Sequence, residues 1–141
     1  MSTPAAVPAT PAPPAWRLPA LVGLGVGAAT LVVALHSPYQ AGSYGYCPLR
    51  ALTGWWCPAC GGLRATHDLL HADVAAAWGM NPLWTVLAPV AAVLWLAWLV
   101  QAVRGRPAPR IRAWTWWTLL VVFLVFGVLR NLPALAPWLA P

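Results

Sequence analysis

Lysine and glutamate are both missing from this chain of 141 residues, and its acids are two aspartates, Asp68 and Asp73. Charged residues make up 7% of the sequence, where a soluble domain carries about 25%. Without glutamate there is no H-E-x-x-H metalloprotease site, and no G-x-S-x-G elbow occurs. Hydrolytic chemistry is therefore disfavoured, and the expectation is a protein that is not an enzyme. Every cation is an arginine, and four of the eight fall between Arg104 and Arg112 beside hydrophobic runs. That clustering suits membrane topology better than a basic stripe for nucleic acid, so no nucleic-acid partner is expected. Only three cysteines are present, Cys47, Cys57 and Cys60. A paired set of C-x-x-C knuckles is thus excluded.

What remains is apolar. Hydrophobic residues are 61% of the chain and the mean hydropathy is +0.70. Such a surface in water would be one continuous apolar patch, which soluble monomers avoid. The bilayer is the solvent that resolves this. The expected fold class is an all-α membrane protein with three transmembrane helices, at about residues 18–36, 82–103 and 113–130. An interfacial or re-entrant helical segment, residues 37–81, carries the cysteines. Residues 1–16, rich in proline and alanine, read as a disordered tail without the basic start of a signal peptide, so the first span reads as a retained anchor. Within that span, Gly23 and Gly27 stand four apart and allow another helix to approach closely. Asn81-Pro82 is an N-cap followed by proline at the first helical position, and Pro89 is expected to kink the span it opens. Tyr39, Tyr44, Tyr46, Trp55 and Trp56 suit headgroup depth.

The arginines set the orientation. With the Arg104–Arg112 loop inside, five arginines are cytoplasmic and three (Arg50, Arg64 and Arg130) are not. The N-terminus is then cytoplasmic and the cysteine segment extracytoplasmic. The expected location is the cell membrane, with the lipid bilayer as partner and a membrane protein or a second copy as a further candidate.

The segment from Cys47 to Asn81 gathers all three cysteines, both aspartates, His67 and His71. Cys57-Pro58-Ala59-Cys60-Gly61 is the shape of a metal knuckle, in which a two-residue gap turns both sulfurs toward one ion. Zinc is the candidate cofactor. Cys47 can supply a third ligand, and His67 or His71 a fourth. The same spacing just before a helix start suits a reactive thiolate, with Arg64 reinforcing the helix dipole. A structural disulfide or packed thiols is the third alternative, and the sequence leaves all three open. On the following helix Arg64, His67, Asp68 and His71 share one face. Arg64 and Asp68 are spaced to pair. Gly61, Gly62 and Arg64 at the helix start make a candidate anion or lipid-headgroup site. Arg64 is expected to face inward and fix the cysteine loop, because a charge at membrane depth is costly unless paired. Asp73 is expected to cap a fresh turn and split the helix.

With Cys47-Pro48, Leu52-Thr53-Gly54, Cys57 to Ala65 (CPACGGLRA), Leu70-His71, Asn81-Pro82 and Arg130-Asn131 in view, the chain resembles a known group. It is similar to the small bacterial membrane proteins of the domain of unknown function 2752 family, over roughly everything after the tail. The resemblance implies a helical integral membrane protein with a cysteine motif and no settled activity. Cys47, Cys57, Cys60, Gly61, Arg64, Asn81, Pro82 and Arg130 match its pattern. Leu63 stands where the family often has threonine, and Ala72 where it often has glycine. The functional expectation is a non-catalytic membrane component with an extracytoplasmic Cys/Arg site built from Cys57, Pro58, Cys60, Gly61, Arg64, Asp68, Asn81, Pro82 and Arg130. The alternatives are thiol-disulfide or metal handling, and lipid or anion binding.

Overall fold

The computed structural model describes residues 14–40, 42–45 and 47–141. Residues 1–13 of the expected tail lie outside them, as does Tyr46 of the aromatic set. Seven helices and no strand occur among the described residues.

The first long helix, α1 (Arg17–Leu35), keeps a proline at its third position, where the missing N–H has no intrahelical partner to lose. It ends before Ser37-Pro38. Next comes α2 (Pro48–Thr53), a short helix inside a stretch read from sequence as loop. Its proline lies at the start, and Gly54 closes it in the left-handed conformation, with an N–H donated to the Arg50 carbonyl. The amphipathic segment is indeed two helices, α3 (Gly62–Leu70) and α4 (Val74–Met80). Asp73 caps the second by accepting from the Ala76 N–H at 2.9 Å. Ala72 holds φ at 61° to make the break, the one non-glycine residue with positive φ among the described residues. A left-handed alanine costs on the order of 1–2 kcal/mol, so the missing glycine is tolerated and the break survives it.

Asn81 opens α5 (Pro82–Val103) by accepting from the Trp84 N–H at 2.9 Å. Pro89 sits inside α5, which continues on both sides of it. The last apolar helix is α6 (Ala113–Leu129), followed by a single turn, α7 (Ala136–Leu139).

Two helices, α1 and α5, are long and apolar enough to cross a membrane, and α6 is a shorter apolar helix of 17 residues. At 1.5 Å per residue α6 is about 26 Å long, against about 30 Å of hydrocarbon. Among the described residues the buried apolar core is Val33, Ala65, Ala77 and Ala102, while leucines, valines and tryptophans along α1, α5 and α6 point outward. Such a surface is suited to lipid rather than water.

Packing joins α1, α3 and α5 to one another, and α4 to α3 and α5. A Cβ at Gly23 would run into the Trp95 indole, whose Nε1 donates to the Pro19 carbonyl at 2.9 Å. Gly27 has nothing within 4 Å of such an atom, so one glycine of the expected pair makes the close approach. Between α3 and α5, the Trp84 Nε1 donates to the Thr66 hydroxyl at 2.7 Å. Helix α6 joins the rest near its C-terminal end, where Gly127 lies against Pro58 of the cysteine turn.

Candidate functional site: a clamped cysteine turn

Pro58 and Ala59 form a tight turn in which the Cys60 N–H bonds the Cys57 carbonyl at 3.0 Å and the Gly62 N–H bonds the Ala59 carbonyl at 2.9 Å. Gly61 then takes a left-handed φ of 79° and starts α3. That turn aims the carbonyls of Cys57, Pro58 and Cys60 at two side chains from distant parts of the chain. Asn81, buried at the mouth of α5, donates through Nδ2 to the Pro58 carbonyl at 2.9 Å and the Cys60 carbonyl at 3.1 Å. Arg130, at the end of α6, is 0% exposed. Its Nη1 donates to the Cys57 carbonyl at 2.9 Å, the Cys60 carbonyl at 3.1 Å and the Pro58 carbonyl at 3.3 Å. One nitrogen has two protons for these three acceptors, so at least one bond is shared. Asn131 completes the clamp: Oδ1 accepts from the Trp56 N–H at 2.8 Å, and Nδ2 donates to the Trp56 carbonyl at 2.8 Å.

The sulfurs gather on the turn. Cys57 Sγ lies 2.9 Å from Cys60 Sγ and 3.4 Å from Cys47 Sγ, and all three thiols are free. The three lie within 4.8 Å of one another. Backbone N–H groups at the start of α2, that of Arg50 first, hold the Cys47 thiol below its usual range. Burial, and then the neighbouring Cys57, push the Cys60 thiol up to about 12. The three sulfurs are thus unequal. They line an open groove of about 650 Å³ whose other walls include Tyr39, Tyr44, Arg50 and Arg64. Arg50 stacks its guanidinium over Trp56, 3.1 Å from the ring centroid.

The histidines go elsewhere. His67 Nδ1 is 2.8 Å from the Val33 carbonyl of α1, and His71 Nδ1 is 2.8 Å from the His67 carbonyl. Neither belongs to the sulfur cluster. Packing of α3 against α1 turns His67 toward the first helix, and His71 folds back on its own helix.

Arg64 corrects the sequence reading. It is exposed, with Nε donating to the Pro38 carbonyl at 3.5 Å and its guanidinium 5.3 Å from the Tyr39 ring centroid. Its expected partner Asp68 is buried and instead accepts from the Tyr39 hydroxyl at 2.6 Å. Burial, then this bond, push the Tyr39 phenol up to about 12. The arginine that fixes the cysteine loop is Arg130, because the end of α6 arrives beneath the turn whereas Arg64 leaves it on the groove side. Gly62 spends its N–H on the Ala59 carbonyl, which removes one amide from the expected anion site. Asn131 was not singled out as a site residue. The signal available was an amide beside an arginine at the end of an apolar helix.

Residues 47–95 match the family described as Protein of unknown function (DUF2752). The match spans the cysteine segment, α3, α4 and the first part of α5; Arg130 and Asn131 lie beyond it. Neither the curated proteins nor the solved structures gave a match.

Proposed function

We propose that this chain, whose residues 47–95 match the DUF2752 family, is a three-span component of the cell membrane. In this reading it presents a rigid cysteine turn at the extracytoplasmic face as a binding site, not a turnover site. The observation that carries it is Arg130, fully buried, with its Nη1 shared by three carbonyls of that turn. A side chain so engaged fixes backbone and leaves the sulfurs presented to the groove.

The ends of the three apolar helices support the three-span reading. The end of α1 meets α3 through Val33 and His67, the start of α5 holds the turn through Asn81, and the end of α6 holds it through Arg130. Chain direction then leaves the Arg104–Arg112 loop, between α5 and α6, at the opposite end. Four arginines at one end and the cysteines at the other fit a cytoplasmic loop and an extracytoplasmic site. At about 26 Å, α6 spans if its buried polar end sits at the interface.

The test uses a cysteine introduced at Ser43 and another at Ala108, each in a chain whose three native cysteines are replaced by alanine. A membrane-impermeant thiol reagent applied to intact cells should label the Ser43 variant and spare the Ala108 variant. Labelling of Ala108 alone would invert the orientation and place the site in a reducing compartment. A second reading, thiol-disulfide exchange, is favoured by the central position of Cys57, whose sulfur neighbours both others.

A further inference from the structure

We propose that Cys47, Cys57 and Cys60 form an open tris-thiolate site for a soft divalent cation of the zinc type, with Arg130 as its counter-charge. The inference rests on the binding-site reading above and names what that site binds.

The first observation is convergence. Cys47 comes from the residue before α2, and Cys57 and Cys60 from the turn before α3, yet the three sulfurs lie within 4.8 Å of one another. A Zn–S bond of about 2.3 Å puts tetrahedral sulfurs about 3.8 Å apart. The Cys47–Cys57 separation of 3.4 Å is close to this, and the Cys57–Cys60 pair at 2.9 Å opens to it by side-chain rotation of about an ångström. The backbone beneath is held by Asn81, Arg130 and Asn131, so that adjustment leaves the turn where it is.

The second observation is an uncompensated charge. Arg130 is fully buried, and its Nε and Nη2 have no hydrogen-bond partner. Both aspartates are engaged elsewhere, Asp68 with Tyr39 and Asp73 as the cap of α4. Its contacts are the carbonyls of Cys57, Pro58 and Cys60, so the guanidinium lies against the backbone that carries two of the three sulfurs. Three bare thiolates would overcompensate it. A divalent ion on three thiolates carries one net negative charge, which the single guanidinium balances. Binding releases the thiol protons to solvent, and no electron transfer is involved.

The third observation is access. The sulfurs border the open groove, and both histidines are directed elsewhere. The fourth coordination position is therefore open to water or to a donor brought by a partner, as in zinc sites that exchange ligands rather than purely structural ones.

The experiment titrates cobalt(II) into the reduced full-length protein in detergent. About one ion per chain should bind with a thiolate-to-cobalt charge-transfer band, displaceable by zinc, and should protect all three cysteines from alkylation. Cys57→Ser should abolish the band, and the double variant His67→Ala/His71→Ala should leave it intact. Added imidazole should shift the d–d bands, because one position is open. Arg130→Met should weaken binding at least tenfold, and Arg130→Lys should weaken it less. Absence of the band, its survival in Cys57→Ser, its loss with the histidines, or indifference to imidazole would each overturn the assignment. The Ser43 and Ala108 labelling pattern does not depend on metal, so failure here is distinguishable from failure of the membrane reading.

Discussion

Arg130→Met should lower the thermal midpoint in detergent by on the order of 10 °C. The substitution keeps much of the buried volume and removes the donor to three carbonyls. Two opposing effects decide its sign. Taking away a buried charge relieves a desolvation cost, so replacing a whole ion pair by apolar groups is often neutral. Removing one partner of a charged arrangement while leaving the other costs about 3–5 kcal/mol. Here what is left are the carbonyls of Cys57, Pro58 and Cys60 without a charged donor. Bonds from a charged group are worth about 1.5–3 kcal/mol, so loss wins, and about 3 kcal/mol corresponds to roughly that midpoint shift. Arg130→Lys should fall between wild type and methionine, because an ammonium keeps a charged donor but sits on a shorter stem than Nη1. Arg64→Ala is the control: an exposed arginine with one long hydrogen bond should change stability by no more than about 0.5 kcal/mol. Equal effects at Arg64 and Arg130 would contradict the clamp.

Gly61→Ala should destabilise the protein by about 4 kcal/mol, near the upper end for a single substitution. Part of this is conformational, since φ of 79° costs a residue with a side chain about 1–2 kcal/mol. The remainder is collision. The added methyl would meet the Met80 carbonyl, with its carbon at 3.1 Å, and the Pro141 Cβ at 3.3 Å. Met80 cannot retreat freely, because the next residue is Asn81, which caps α5 and binds the cysteine turn. Gly54→Ala separates the two contributions. Gly54 has φ of 74° and open space around it, so it should show only the conformational cost. If the two glycines respond alike in thermal unfolding, the packing of the turn on the α4–α5 junction is wrong.

Local features of the fold were legible because their physics is local. Asn81-Pro82 announces the start of α5, and Asp73 announces the start of α4, each through a cap whose donor lies three residues on. Helix α2 had a readable signature too, proline at its start and glycine after its end, in a segment short enough to pass for loop. The site was legible in composition and not in assembly. Sequence spacing placed Cys57 with Cys60, and it could place Arg64 and the histidines on the same helix face. It could not say that His67 turns to α1 while Arg64 borders the groove, or that an arginine some seventy residues away arrives beneath the turn. Arg64 and Arg130 are alike in composition. Only the packing of the end of α6 against Pro58 decides between them.

The most direct test of a binding site over an exchange site is the state of the cysteines in the protein as made. Membranes are dissolved in denaturant containing an alkylating reagent and a chelator, without reductant, and the intact chain is weighed. The account predicts three alkyl groups on Cys47, Cys57 and Cys60. A chain that takes up a single alkyl group, with two of the cysteines joined as a disulfide, would contradict it.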